Sequence, residues 1–154
     1  MKDYKDTRIG KLRDYLFNVI EQIRNVNQIN ANFLSNTIDN YSLDKIPTER
    51  KLVPYIIGGG IYQETYSFRG RLPYGQDFET NLKTMGFFEE FEDIIESNNN
   101  KGIKPDIDGI ESIECLDRGT LNNAETKTGE FDVQIRITFY DDGNHQPIEP
   151  IISL

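Results

Sequence analysis

Near the start of the chain, Ile9, Leu12, Leu16, Val19, Ile20, Ile23 and Val26 recur at three and four residues, with Arg8, Lys11, Asp14, Asn18, Gln22 and Asn25 between them. That period predicts an amphipathic helix. Asp6 or Thr7 can cap it by accepting from the free amides of the first turn. From Asn27 to Asn40 the pattern keeps some helical character through Ile29, Phe33, Leu34 and Ile38, but the asparagines predict a break or a second short helix. Tyr41, Leu43 and Lys45 then fall on one side of a strand that Pro47 ends or confines to a sheet edge.

Gly58-Gly59-Gly60 reads as a turn, and the long strand after it sets Tyr62, Glu64, Tyr66, Phe68 and Leu72 against Gln63, Thr65, Ser67, Arg69 and Arg71. Glu64 is out of place on the covered face, which implies a bulge or a partly wet face. Asp77 can cap a helix with Phe78, Leu82 and Met85 inward as far as Gly86. A second helical segment follows, with Phe87, Phe88, Phe91, Ile94 and Ile95 inward and Glu89, Glu90, Glu92, Asp93 and Glu96 outward, ending at Asn98 to Gly102. Two further strands, Ile110 to Leu121 and Phe131 to Tyr140, flank a polar hairpin loop from Asn122 to Glu130. Together these elements predict an α+β domain over residues 1–140, an antiparallel sheet of about four strands with helices packed on one face. Residues 141–154 are expected to form an extended tail after it.

Composition agrees with one domain: 154 residues, 36% apolar and 11% aromatic, supply a single core. No apolar run approaches the length of a membrane span, and the first residues hold no apolar signal core, so a soluble intracellular protein is expected. The formal net charge is −9, from 17 Lys+Arg against 26 Asp+Glu, and the basic residues are dispersed. Gripping a nucleic acid duplex requires concentrated cations instead.

The chemistry-bearing residues read blandly. Gly58-Gly59-Gly60 lacks both the Gly-Lys-Ser/Thr ending and the following helix of a phosphate loop. His145 sits in a Pro-bounded tail, and Asp141-Asp142-Gly143-Asn144 is too short for a calcium loop. Cys115 lies between Glu114 and Asp117, which raise a thiol's pKa, and as the lone cysteine it forms no disulfide framework and no multi-Cys zinc site. The acids from Glu89 to Glu96 are interleaved with apolar positions in the manner of a solvated or partner-facing surface. No enzyme, cofactor or metal is expected. The apolar residues Ile148, Ile151, Ile152 and Leu154 need a groove, on this subunit or on a neighbour, since exposed apolar area costs about 25 cal/mol per Å².

Several runs add a resemblance: Asn40-Tyr41-Ser42-Leu43, the strand Tyr62 to Phe68 followed by Arg69, Gly86-Phe87-Phe88-Glu89-Glu90-Phe91, Ile113-Glu114-Cys115-Leu116, and Gln134-Ile135-Arg136-Ile137-Thr138-Phe139. In their order and spacing, from Asn40 to Tyr140, the chain resembles tail-terminator proteins of tailed bacteriophages and prophages of low-GC bacteria, often labelled minor capsid proteins. The resemblance implies a ring of subunits, typically six, assembled in the host cytoplasm and carried at the head-proximal end of the virion tail. Such a ring caps the tail tube, stops its polymerisation and joins the head connector; DNA passes through its lumen without specific binding, and no membrane or catalysis is involved. The implied partners are copies of itself, the tube protein, the sheath where a tail has one, and the connector.

On that reading Arg69, Arg71, Asn122, Asn123, Lys127, Glu130, Arg136, Ile148, Ile151 and Ile152 are candidate contacts with subunits or tube. Glu89, Glu90, Glu92 and Asp93 are candidate lumen-facing acids, suited to a channel that repels phosphate. The rival readings are another head-tail adaptor or head-closure protein, and a small acidic ligand-binding domain or enzyme.

Overall fold

In a computed structural model that describes residues 3–47, 51–54, 59–124 and 127–142, the alternation around Phe68 and Val133 forms the centre of the molecule. Strand β4 (Gly60–Pro73) pairs antiparallel with β7 (Thr128–Asp141) without a register shift, from Gly60 opposite Asp141 to Pro73 opposite Thr128. A period of two sends Tyr62, Glu64, Tyr66, Phe68 and Leu72 to one face together with Phe131, Val133, Ile135, Ile137 and Phe139 of β7.

Around this pair the other strands add on both sides. β1 (Gln28–Ala31) lies parallel to β2 (Asn40–Ile46), β2 lies antiparallel to β4, and β3 (Lys51–Pro54) also pairs with β4. β5 (Ile110–Cys115) and β6 (Thr120–Ala124) both pair with β7, giving seven strands among the described residues in the main order β1-β2-β4-β7-β5. The fold is α+β, as expected, but the sheet is larger than four strands and mixed.

Three expectations change with it. The 27–40 stretch supplies a strand, β1, where a break or a second short helix was expected. The segment Ile110 to Leu121 is interrupted by the turn before Thr120. The loop expected over 122–130 is mostly ladder, since Asn123 pairs with Glu130 and Ala124 with Gly129.

Helix α1 (Arg8–Glu21) begins at Thr7, whose side chain accepts from the Gly10 amide, and buries Leu12, Tyr15, Leu16, Val19 and Ile20. Helix α2 (Phe78–Lys101) is one continuous helix through Gly86, capped by Asp77, whose carboxylate accepts from Thr80 N. It ends at Gly102, which takes the left-handed conformation (φ +78°). Phe87, Phe88, Phe91 and Ile95 of α2 join the sheet's apolar face in one core with α1. Rings stack through it: Tyr41 on Phe68 at 5.4 Å, and Phe68 on Phe91 at 5.5 Å. Among the described residues no helix is long and apolar enough to cross a membrane.

The continuity of α2 overturns the expected inward stripe of Phe78, Leu82 and Met85. At 100° per residue those three lie on the side of the helix away from Phe87, Phe91 and Ile95, so one straight helix cannot turn both sets to the sheet. They are 76%, 58% and 61% exposed.

Candidate functional site

Residues opposite the core, on the open face of β4 and β7, are those the alternation turned outward. Register places Arg69 beside Asp132, Arg71 beside Glu130, and Ser42 of β2 beside Arg69. Arg69 Nε lies 2.7 Å from Asp44 Oδ2, and Arg69 Nη1 and Arg71 Nη2 each lie 3.7 Å from a Glu130 carboxylate oxygen. Ser67 Oγ donates to Asp132 Oδ1 at 2.6 Å, and Ser42 Oγ donates to Asp44 Oδ1 at 2.7 Å. One step along the sheet, Arg136 pairs with Glu114 at 3.8 Å, opposite it in register. Four of the predicted contact residues, Arg69, Arg71, Glu130 and Arg136, are therefore brought onto one face, and each cation has an acid of its own chain.

That pairing defines what the face can do. A cation with a carboxylate 2.7–3.8 Å away has little net charge to offer a partner, so the open face is a lattice of cross-strand pairs and not a basic patch. Arg71 is buried and its Nε donates to Ser35 O at 3.4 Å, tying β4 to the β1–β2 connection. Lys127 is exposed just before β7, and its carbonyl accepts from Tyr74 N at 3.0 Å. Asn122 and Asn123 belong to strand β6 and not to a loop. Ile148, Ile151 and Ile152, like His145, lie outside the described residues.

The solvent face of α2 is divided along its length. Phe78, Leu82 and Met85 occupy its first half, and Glu89, Glu92, Asp93 and Glu96 continue the same side of the helix. Glu89, Glu90 and Asp93 are exposed and Glu92 is half-buried. Next to the apolar half, between α2 and β6, is a cavity of about 290 Å³ whose walls include Tyr74, Met85, Phe88, Leu121, Phe131 and Arg118. Neither the exposed stripe nor this cavity follows from the sequence pattern alone. The signal was present in the span Phe78 to Met85, but its phase against Phe87 becomes readable only when Gly86 is allowed inside the helix.

A larger cleft of about 740 Å³ opens at the other end of the sheet, where Arg8 and Lys11 of α1 face Asp106, Asp108, Asp141 and Asp142. Gly109 forms its edge with φ +74°, and a side chain there would collide with Tyr140 O. Lys11 sits 3.4 Å from Asp106 and 3.9 Å from Asp6. Among the described residues no group of three His, Cys, Asp or Glu side chains is placed to hold a metal ion.

Two ionisable groups shielded from solvent complete the picture. Cys115 turns to the core beside Ile113, and burial, followed by the charges of Glu92, Asp117 and Glu114, pushes its thiol up to about 12. That is the behaviour of a packing residue and not of a nucleophile. Glu64 is 2% exposed yet ionised: burial would raise its pKa, but the Arg8 guanidinium, the Tyr66 hydroxyl and Lys45 together hold it below the usual carboxylate range. No bulge occurs at Glu64, so the anomaly in the alternation is a buried ion pair. No protein-family model matches the chain, and a search of curated proteins finds no match to it.

Proposed function

We propose that this chain is a structural subunit of a phage tail terminator, a self-assembling ring that caps the head-proximal end of the tail tube and joins it to the head connector. The observation that carries the reading is the exposed apolar half of α2, Phe78, Leu82 and Met85, beside the apolar cavity at Leu121 and Phe131. Contiguous apolar surface of this kind marks a protein contact. A subunit that meets copies of itself head to tail closes into a ring when its rotation allows.

The division of α2 suits the same assignment: its apolar half provides adhesion, and the acids Glu89, Glu90, Glu92 and Asp93 suit a passage for DNA that does not retain phosphate. The cations of the open face around Arg69 and Arg136 are paired with acids of the same chain. In this reading the chain acts by shape, without catalysis, cofactor or membrane, and its place is the virion tail. A head-closure adaptor would share the ring and differ in its partner.

The test is co-assembly. Purified chain added to polymerising tube subunits is expected to shorten the tubes and to appear at one tube end in negative stain. Pulldown of portal-side proteins without tube protein would assign it to head closure instead. The ligand-binding reading rests on the polar cleft at Arg8 and Lys11; saturable binding of a small molecule there by a chain that stays single would favour it.

A further inference from the structure

Across the sheet from the cavity at Leu121 and Phe131, the β1–β2 connection carries an aromatic side chain that its own subunit does not bury. Phe33 is 61% exposed, yet the backbone that bears it is fixed. Asn32 before it takes the left-handed conformation at φ +56°, and Phe33 N donates to Ser42 Oγ at 2.9 Å. Ser42 is fully buried, and its hydroxyl donates in turn to Asp44. Arg71 Nε ties down the same connection through Ser35 O. An aromatic ring with two torsions, on backbone that is already ordered, loses little entropy when a partner covers it.

The stretch around Phe33 is also neutral. From Val26 to Ile38 no residue is charged, whereas 28% of the whole chain is. The cavity is apolar at Tyr74, Met85, Leu121 and Phe131, and its wall carries Glu89 and Glu92 beside Arg118. In a chain of net charge −9, an uncharged surface approaches those glutamates without the like-charge repulsion that an acidic one meets. Size agrees as well: an apolar cavity of about 150 Å³ holds a benzene molecule, and this one, at about 290 Å³, admits a phenyl ring.

Phe33 cannot fill the cavity of its own subunit. Its amide is held at β2, and β6 is three strands away in the order β2-β4-β7-β6, about 14 Å at 4.7–4.9 Å per strand. Ser42 stands beside Arg69 on the open face, whereas Phe88 and Phe131 place the cavity on the helix face. Knob and cavity therefore lie at opposite edges of one sheet, the arrangement of a contact that repeats head to tail.

We propose that Phe33 of one subunit seats in the Met85–Leu121–Phe131 cavity of the next, bringing the neutral β1–β2 connection against the Met85 end of the exposed α2 stripe. The joint gives the ring reading a specific contact and rests on that reading for its closure. A rigid aromatic anchor in an apolar pocket is the kind of contact that carries much of an interface's affinity.

The test uses two full-chain variants at exposed positions, Phe33→Glu and Met85→Glu, followed by circular dichroism and sedimentation velocity. Each is expected to keep the parent spectrum, lose the ring and sediment as single subunits. Mixed one to one, they should form a two-chain species and no ring, because Phe33 of the Met85 variant still meets the intact cavity of the Phe33 variant. Single subunits in the mixture overturn the joint. Rings that persist in Phe33→Glu also overturn it and leave the ring reading standing, with another cover on the cavity, the chain's own residues beyond Asp142 among them. A parent chain that stays single at every concentration removes both. A second measurement does not depend on the glutamates: Phe33→Cys with Met85→Cys, in a Cys115→Ala chain under copper-phenanthroline oxidation. A ladder of covalent multimers that reductant collapses is expected, and an internally bridged monomer or no bridge contradicts the docking.

Discussion

Arg8 Nη2 lies 2.9 Å from Glu64 Oε2, joining the first turn of α1 to the middle of β4 across 56 residues of sequence. Tyr66 Oη donates to the other carboxylate oxygen at 2.8 Å, and Lys45 Nζ stands 3.2 Å from Glu64 Oε2. The folded pKa of Glu64 is below its unfolded value of about 4.3, so the folded state binds fewer protons between the two. Its contribution to stability is complete above the unfolded pKa and is lost as pH falls through the folded one. Unfolding midpoints in urea across pH 2–6 should show this loss, and Glu64→Gln should flatten it. Arg8→Met, which removes one partner of a buried charge, should cost about 1–3 kcal/mol. If that variant matches the parent from pH 5 to 7, the pair is not structural.

Tyr41 is fully buried, and its hydroxyl finds no hydrogen-bond partner among the described residues. Burial also pushes its pKa up. Removing an unsatisfied buried hydroxyl while keeping the ring on Phe68 should stabilise the fold, so Tyr41→Phe is expected to gain about 1 kcal/mol by chemical denaturation. A loss of similar size would reveal a partner for the hydroxyl. Phe91→Ala in the same stack should instead cost about 3–5 kcal/mol.

Gly86 lies inside α2, and a Cβ added there would meet nothing within 4 Å. Gly86→Ala should raise stability by about 0.5–1 kcal/mol through helix propensity. Destabilisation in a thermal melt would mean that α2 is broken there after all.

Glu89, Glu90, Glu92 and Asp93 offer a test of the proposed channel. Replacing the four by Gln, Gln, Gln and Asn should leave the fold intact, three of the four being exposed. In assembled tails, slower DNA ejection with rings preserved would support repulsion of phosphate, and unchanged kinetics would remove that role.

Most of the frame was legible because the dominant strands alternate cleanly. Phe131 to Phe139 admit only one covered face, and Tyr62 to Leu72 match them. Glu64 was visible as an exception, but its cure, Arg8, is set by how α1 crosses the sheet and carries no local signal. β1 was hidden because Gln28-Ile29-Asn30-Ala31 presents little apolar pattern, and its strand character comes from pairing Ile29 with Tyr41. The division between Cys115 and Thr120 was masked by apolar Leu116 and Leu121, which are partly exposed beside the turn.

The candidate surface was less legible than the fold, for a related reason. Phe78, Leu82 and Met85 have the spacing of a buried stripe, and spacing alone does not say which side of a helix has a sheet beneath it. Charge on Arg69, Arg71 and Arg136 was readable from alternation, whereas its neutralisation by Asp44, Glu130 and Glu114 depends on cross-strand register.

The central claim is that this chain is built to meet copies of itself. Mass photometry of the purified full chain across a concentration series tests it most directly: the account predicts a closed population near six subunits that resists dilution, and a species of 17.8 kDa alone at every concentration would contradict it.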